Sequence, residues 1–211
     1  MPTFASRAPW HTTTACVLTV LLAGCSVLKE PPRAAVYDFG APAVTATSAV
    51  VAGKPQELPP LVLAQIGATQ TLDSTALVYR LAYANDQQLR PYSLARWSAP
   101  PAELVRQRLR ERLSADRTVL GPLDPGAALT LKIDLDEFSQ LFTSADESVG
   151  LVRMNATLTR STPSGEQPVA QRSVTMRRPA ASADAAGGVQ ALTAATDAAA
   201  DDLARWLKAQ R

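Results

Sequence analysis

Leu129-Thr130-Leu131-Lys132-Ile133-Asp134-Leu135-Asp136 alternates apolar and polar residues without a break. Successive side chains of a strand point to opposite faces, so the four apolar residues line one face and Thr130, Lys132, Asp134 and Asp136 the other. The stretch predicts a strand with one buried and one solvated face. Residues 149–159 repeat the pattern with Val152, Met154, Ala156 and Leu158, and Pro163-Ser164-Gly165 turns the chain. Residues 169–177 then return with Val174 and Met176 inward, so three consecutive antiparallel strands are expected.

Following the chain to its end, Gly187-Gly188 precedes Val189, Leu192, Ala195, Ala199, Leu203, Trp206 and Leu207, a spacing that covers one face of a long helix. Asp197, Asp201 and Asp202 are expected to face outward, with Arg205, Lys208 and Arg211 at the end where the macrodipole favours cations. Toward the N-terminus, residues 61–66 form an apolar run after Pro59-Pro60 and predict a buried strand. Residues 76–83 predict another, with Leu77, Tyr79, Leu81 and Tyr83 on one face and Arg80 on the other. Asn85-Asp86 supplies turn chemistry, and residues 92–97 return as a hairpin partner, with Pro91 interrupting one side of the ladder.

Ser98-Ala99-Pro100-Pro101 reads as a helix start, with Ser98 as the cap and Glu103 at the positive end. Over residues 101–114, Ala102, Val105, Leu109 and Leu113 form the stripe that faces the sheet. Arg106, Arg108, Arg110 and Arg112 lie outside it as a solvated face balanced by Glu103 and Glu111. Val36-Tyr37-Asp38-Phe39 is a short strand, and residues 40–60, rich in Ala, Thr, Ser, Gly and Pro, form a long surface loop. The fold class is α/β: one domain over residues 36–211, with a mixed, largely antiparallel sheet packed by two main helices.

Before that domain lies a targeting segment. Arg7 supplies positive charge, residues 12–22 an apolar run, and Leu22-Ala23-Gly24-Cys25 a lipobox. The apolar run is half of the roughly 20 residues a bilayer span needs. Residues 1–24 are therefore a cleaved signal: Gly24 and Cys25 flank the cut bond, and Cys25 takes the lipid. Residues 25–35, with Lys29, Glu30, Pro31 and Pro32, form an extended tether.

Cleavage removes His11 and Cys16, and lipid consumes Cys25. The mature chain then has no imidazole and no free thiol, which excludes Ser-His-Asp and Cys-His catalysis and the zinc or haem sites that need those ligands. There is no glycine-rich phosphate loop and no metal-ligand spacing, so no cofactor is expected. Asp134 and Asp136 have a spacing that a paired-carboxylate mechanism could use, but Lys132 beside them favours a solvated face, and the chain is not expected to be an enzyme. A net charge of +2, from 21 basic and 19 acidic residues, gives no sign of nucleic acid.

The lipobox, Tyr37-Asp38-Phe39-Gly40, Leu77-Val78-Tyr79-Arg80-Leu81, the run from Tyr92 to Pro101 and the helix after it together resemble the ABC-type transport auxiliary lipoproteins, the PqiC/YmbA-like family. The resemblance spans almost the whole mature chain. It implies a periplasmic domain acting with an MCE-type lipid transport system, whose partners are an MCE-domain protein and an ABC permease with its ATPase. The chain would be a docking or tethering subunit, anchored in the membrane by its lipid. Two other readings stay open at this point: an outer-membrane assembly lipoprotein that chaperones an envelope machine, and an enzyme built on Asp134, Asp136 or Glu137.

The interaction candidates are Tyr92, Arg96 and Trp97. Trp97 ends a strand before a proline-initiated helix and suits a core cap, while Arg96 lies on the opposite pleat, with Tyr92 expected on Arg96's face. Trp, Tyr and Arg are the types that concentrate binding energy at interfaces. The expected contact is the MCE partner or a second copy of this chain in a homo-oligomer. Ser26, rather than Asp, after the lipidated cysteine implies the periplasmic face of the outer membrane. Cys25→Ser should release a soluble or uncleaved protein, read by membrane fractionation; a processed variant that stays in the membrane would refute the lipoprotein reading.

Overall fold

β6 (Leu129–Phe142) is flanked along its whole length on one edge and is shared between two partners on the other. A computed structural model of the chain describes residues 32–41, 58–124 and 128–210. The signal segment, the lipobox with Gly24 and Cys25, most of the tether and most of the 40–60 loop lie outside the described residues. Residues Ala34–Arg211 form one compact unit. Among the described residues no helix is long and apolar enough to cross a membrane.

β7 (Ser148–Thr162) runs antiparallel to β6 from Phe142↔Ser148 to Leu129↔Arg160, and β8 (Gly165–Pro179) runs antiparallel to β7, as the alternation predicts. On its other edge, β6 pairs in parallel first with β2 (Leu58–Ala68), from Leu61↔Leu129 to Ala68↔Leu135. It then pairs in parallel with β3 (Ala76–Leu81), from Tyr79↔Gln140 to Leu81↔Phe142. Beyond β2 lies β5 (Arg117–Leu120), parallel to it; beyond β3 lie β4 (Asp86–Trp97), antiparallel, and then β1 (Ala35–Tyr37), parallel to β4. The result is a branched, mixed, eight-stranded sheet whose longest ladders are antiparallel.

The hand-over from β2 to β3 coincides with a bulge. Leu135 faces Met154 and Glu137 faces Arg153, so Asp136 is an extra residue. A bulge re-phases the pleat. Leu131, Ile133 and Leu135 are buried before it, and Phe138, Gln140 and Phe142 after it.

Among the described residues three helices complete the domain: α1 (Ala82–Asn85), α2 (Pro101–Ser114) and α3 (Ala185–Ala209), with a 3-10 turn at Gln70–Asp73. The expected stripe of α2, Ala102, Val105, Leu109 and Leu113, is buried, together with Leu104. α3 approaches the sheet closely because glycines meet it there. A Cβ on Gly150 of β7 would lie 2.5 Å from the Ala191 carbonyl carbon and the Leu192 nitrogen, and one on Gly188 would lie 2.1 Å from Gln140 Oε1.

Several sequence expectations need correction. Tyr83 is in α1 and exposed, because the chain coils after Leu81 instead of continuing the strand. Pro59 and Pro60 lie inside β2, at a register shift that spares their missing N–H groups. Ser98 does not cap α2; the Pro100 carbonyl accepts from Glu103 and Leu104, and the Ser98 amide donates to the Tyr37 carbonyl at 2.7 Å. α3 starts before Gly187-Gly188, capped by Asp184, whose Oδ1 accepts from the Gly187 amide at 2.8 Å.

The largest correction concerns charge. Arg108 is only 4% exposed. Its Nη2 donates to the carbonyls of Phe39 and Gly40 at 2.8 and 3.0 Å, and its Nη1 lies 3.3 Å from Asp197. One turn further, Arg112 meets Asp201 at 2.5 Å; past the helix end, Asp116 meets Lys208 at 2.9 Å. The rungs run in the same order along both helices, so α2 and α3 lie side by side in parallel. Asp202 joins Arg172 of β8 at 2.7 Å. The acidic residues expected to face outward thus serve as links between elements.

Leu109→Ala or Leu113→Ala should cost about 2–5 kcal/mol. Arg106→Ala, which removes an exposed pair with Glu103, should stay within about 0.5 kcal/mol. Arg108→Ala should cost about 1–3 kcal/mol, because it leaves carbonyls and a carboxylate without their donor. Urea titrations with unchanged m-values check the order; equal losses at Arg106 and Arg108 would contradict the buried clamp.

Candidate docking edge

Trp97 is part of an aromatic cluster beneath the helices. Its ring lies edge-on to Phe39 and to Phe138, each at 5.6 Å, and Phe39 lies 6.0 Å from Phe138. Such pairs add to the burial of the rings themselves. Phe39 lies two residues past the end of β1, and the Arg108 guanidinium stands 5.8 Å over its ring while donating to its carbonyl. β1 has only three residues, paired as Ala35↔Ala95, Val36↔Arg96 and Tyr37↔Trp97. A strand this short is held because the next residues are plugged into the core and clamped by Arg108.

Tyr92 is not on Arg96's face. β3 and β4 change register between Val78↔Pro91 and Ala76↔Arg96, so four residues of β4 stand opposite one of β3. This wide irregularity turns Tyr92 toward the helices. Its ring lies 4.7 Å from Tyr79, and its hydroxyl donates to Gln140 Oε1 at 2.8 Å. Gln140 is fully buried and donates through Nε2 to Ser148 Oγ at 2.8 Å. Burial, then Tyr79 and Asp184, push the Tyr92 hydroxyl up to about 12, so it stays a neutral donor.

Arg96 is therefore the one member of the trio that faces outward. It is exposed and makes no hydrogen bond or ion pair with the described residues. Its register partner Val36 is 52% exposed, and Leu94, two residues before it, is 51% exposed. Two large apolar side chains thus flank an exposed guanidinium at the β1 end of the sheet. Val36 and Leu94 are not among the residues that the sequence singles out. The signal was parity: if Tyr37, Phe39, Ala95 and Trp97 face the core, then Val36, Leu94 and Arg96 face away.

The carboxylates considered for catalysis are dispersed. Asp136 accepts from Asn155 Nδ2 at 2.7 Å, Glu137 pairs with Arg80 at 3.2 Å, and Asp134 is exposed beside Gly67. Among the described residues no group of three or more His, Cys, Asp or Glu is placed to hold a metal.

Known proteins agree with this architecture. A crystal structure of a Xanthomonas campestris protein of the DUF330 family shares the fold with a TM-score of 0.64 at 21% identity, covering 72% of this chain and 84% of that one. A second crystal structure, of an uncharacterized protein, gives 0.62 at 14% identity, covering 83% and 99%. No curated protein matches the chain in sequence. The family model described as the ABC-type transport auxiliary lipoprotein component matches residues 37–204. That match runs from the end of β1 into the last turns of α3, across the sheet and the Arg108 clamp, and the chain belongs to the ABC-type transport auxiliary lipoprotein family.

Proposed function

We propose that this protein is the docking or tethering subunit of an MCE/ABC-type intermembrane lipid transport system. It is held by lipid on Cys25 at the periplasmic face of the outer membrane and contacts its MCE-domain partner, or a neighbouring copy of itself, through the edge formed by β1 and β4. The observation that carries the reading is the exposed pair Val36 and Leu94 around Arg96, which has no partner among the described residues. Apolar side chains beside an arginine are the composition in which interfaces concentrate their energy. β1 also lies at the end of the path β1-β4-β3-β6 and offers an edge to which another chain can add.

The tether favours the same edge. β1 starts at residue 35, ten residues after the proposed lipid site. Fully extended, ten residues reach at most about 35 Å, so the anchor keeps β1 near the membrane that holds it. The energy-consuming steps belong to the permease and ATPase partners, and membership of an ABC-type transport family fits that division of labour.

The test is isolation of the tagged, full-length lipoprotein from membranes with identification of what accompanies it. The expected companions are an MCE-domain protein and an ABC permease with its ATPase. Arg96→Ala and Val36→Asp should reduce their recovery about tenfold, the loss of one or two kcal/mol at an interface, with little change in melting temperature. Trp97→Ala should instead destabilise the fold by about 3–5 kcal/mol. Recovery of outer-membrane assembly machinery in place of the transport proteins, or full recovery with both surface variants, would overturn the reading.

A further inference from the structure

At the end of the sheet where β5 and β6 start, β7 ends and α3 finishes, the chain forms a half-open cavity of about 520 Å³. Its origin is legible in Pro59 and Pro60. Neither has an amide hydrogen, and the β2–β5 ladder jumps across them from Leu58↔Arg117 to Leu61↔Val119. Leu58, Leu129 and Leu207 wall the resulting space.

Two arginines, Arg117 and Arg160, line the same cavity, and no carboxylate does so among the described residues. Arg117 is 7% exposed, and its Nε has no hydrogen-bond partner. Asp116, whose charge reaches it, is already shared between Arg112 and Lys208 at 3.0 and 2.9 Å. Burial lowers the Arg117 pKa against the pull of Asp116, but a guanidinium keeps its proton in any protein environment. A buried cation without its own hydrogen-bonding partner is strongly disfavoured unless an anion meets it. Arg160 lies at the β7 end of the cavity, exposed and making no ion pair with the described residues.

We propose that this cavity binds a single-chain amphiphile with an acidic head, a carboxylate or a phosphate monoester. The head meets Arg117 and Arg160, and the apolar body lies against Leu58, Leu129 and Leu207. The planar guanidinium fork suits either oxyanion. The volume falls in the range of about 300–1,000 Å³ typical of small-molecule sites. This site is argued from the cavity alone and stands or falls separately from the docking edge.

The test uses the full-length lipoprotein in phosphatidylcholine vesicles, irradiated with a diazirine-bearing fatty acid, with labelled peptides mapped by mass spectrometry. Labels should concentrate on peptides carrying Leu58, Leu129 and Leu207. Unlabelled oleate or lysophosphatidate should displace them, and whichever competes better identifies the head group; a neutral long-chain alcohol should not. Arg117→Gln should lower labelling about tenfold, the loss of one charge-assisted contact. Arg172→Gln, whose guanidinium lies against Asp202 away from the cavity, should leave it unchanged. Labels scattered over the surface, equal competition by the alcohol, or displacement by inorganic phosphate but not by oleate or lysophosphatidate would overturn the proposal. Mapping on the unaltered chain decides this even if Arg117→Gln folds poorly.

Discussion

One extra residue in one strand governs how this domain is joined. β6 has only two edges but must hold three strands, and the bulge at Asp136 is where β2 gives way to β3. Re-phasing the pleat there keeps both halves of β6 loyal to the same core, with Leu131, Ile133 and Leu135 on one side of the bulge and Phe138, Gln140 and Phe142 on the other. Without it, the second half of the strand would turn Phe138 and Phe142 to the opposite face. The two branches that leave β6 have different fates. The β2 branch, with β5, builds the arginine-lined cavity, and the β3 branch, with β4 and β1, builds the edge that exposes Val36, Leu94 and Arg96.

The helices are set on this sheet by small residues and then fixed against each other by charge. Gly150 and Gly188 let α3 lie close enough for the Arg108, Arg112 and Lys208 rungs to form. The outer rungs are partly exposed and contribute at most about 1 kcal/mol each. Arg108 is different in kind, because it also satisfies two backbone carbonyls beside β1. It thereby connects the helix pair to the edge strand, and the position of Val36 depends on it.

Much of this was legible in the sequence, for reasons that mark where legibility ends. The alternation in residues 129–135 and the apolar stripe of α2 are local patterns, set by the geometry of one element against one core. Tyr83 was misplaced because an alternation has no built-in end, and Tyr92 because the register jump in β4 follows from pairing with β3 and β1 together. Arg108 lies on the flank of its helix stripe, where only the arrival of α3 and of Phe39 decides between solvent and burial. The same holds for the two sites. The parity of Arg96 against Trp97 could be read directly, whereas its neighbour Val36 enters the edge through a parallel pairing about sixty residues away in sequence. Nothing around Arg117 in the sequence hints at a cavity, because its walls come from five separate elements.

The central place of β6 also has a consequence in time. A chain emerges N-terminus first, from the ribosome and again on export, so β2 and β3 precede the strand that must lie between them. Until residue 142 has emerged, the β3–β4 hairpin and α2 carry apolar faces with nothing to cover them. Once it has, β6, β7 and β8 can form a meander from neighbours in sequence and offer a template to which the earlier strands add. β2 and β3 can therefore take their places in the sheet only when a strand made later in the chain is there to receive them.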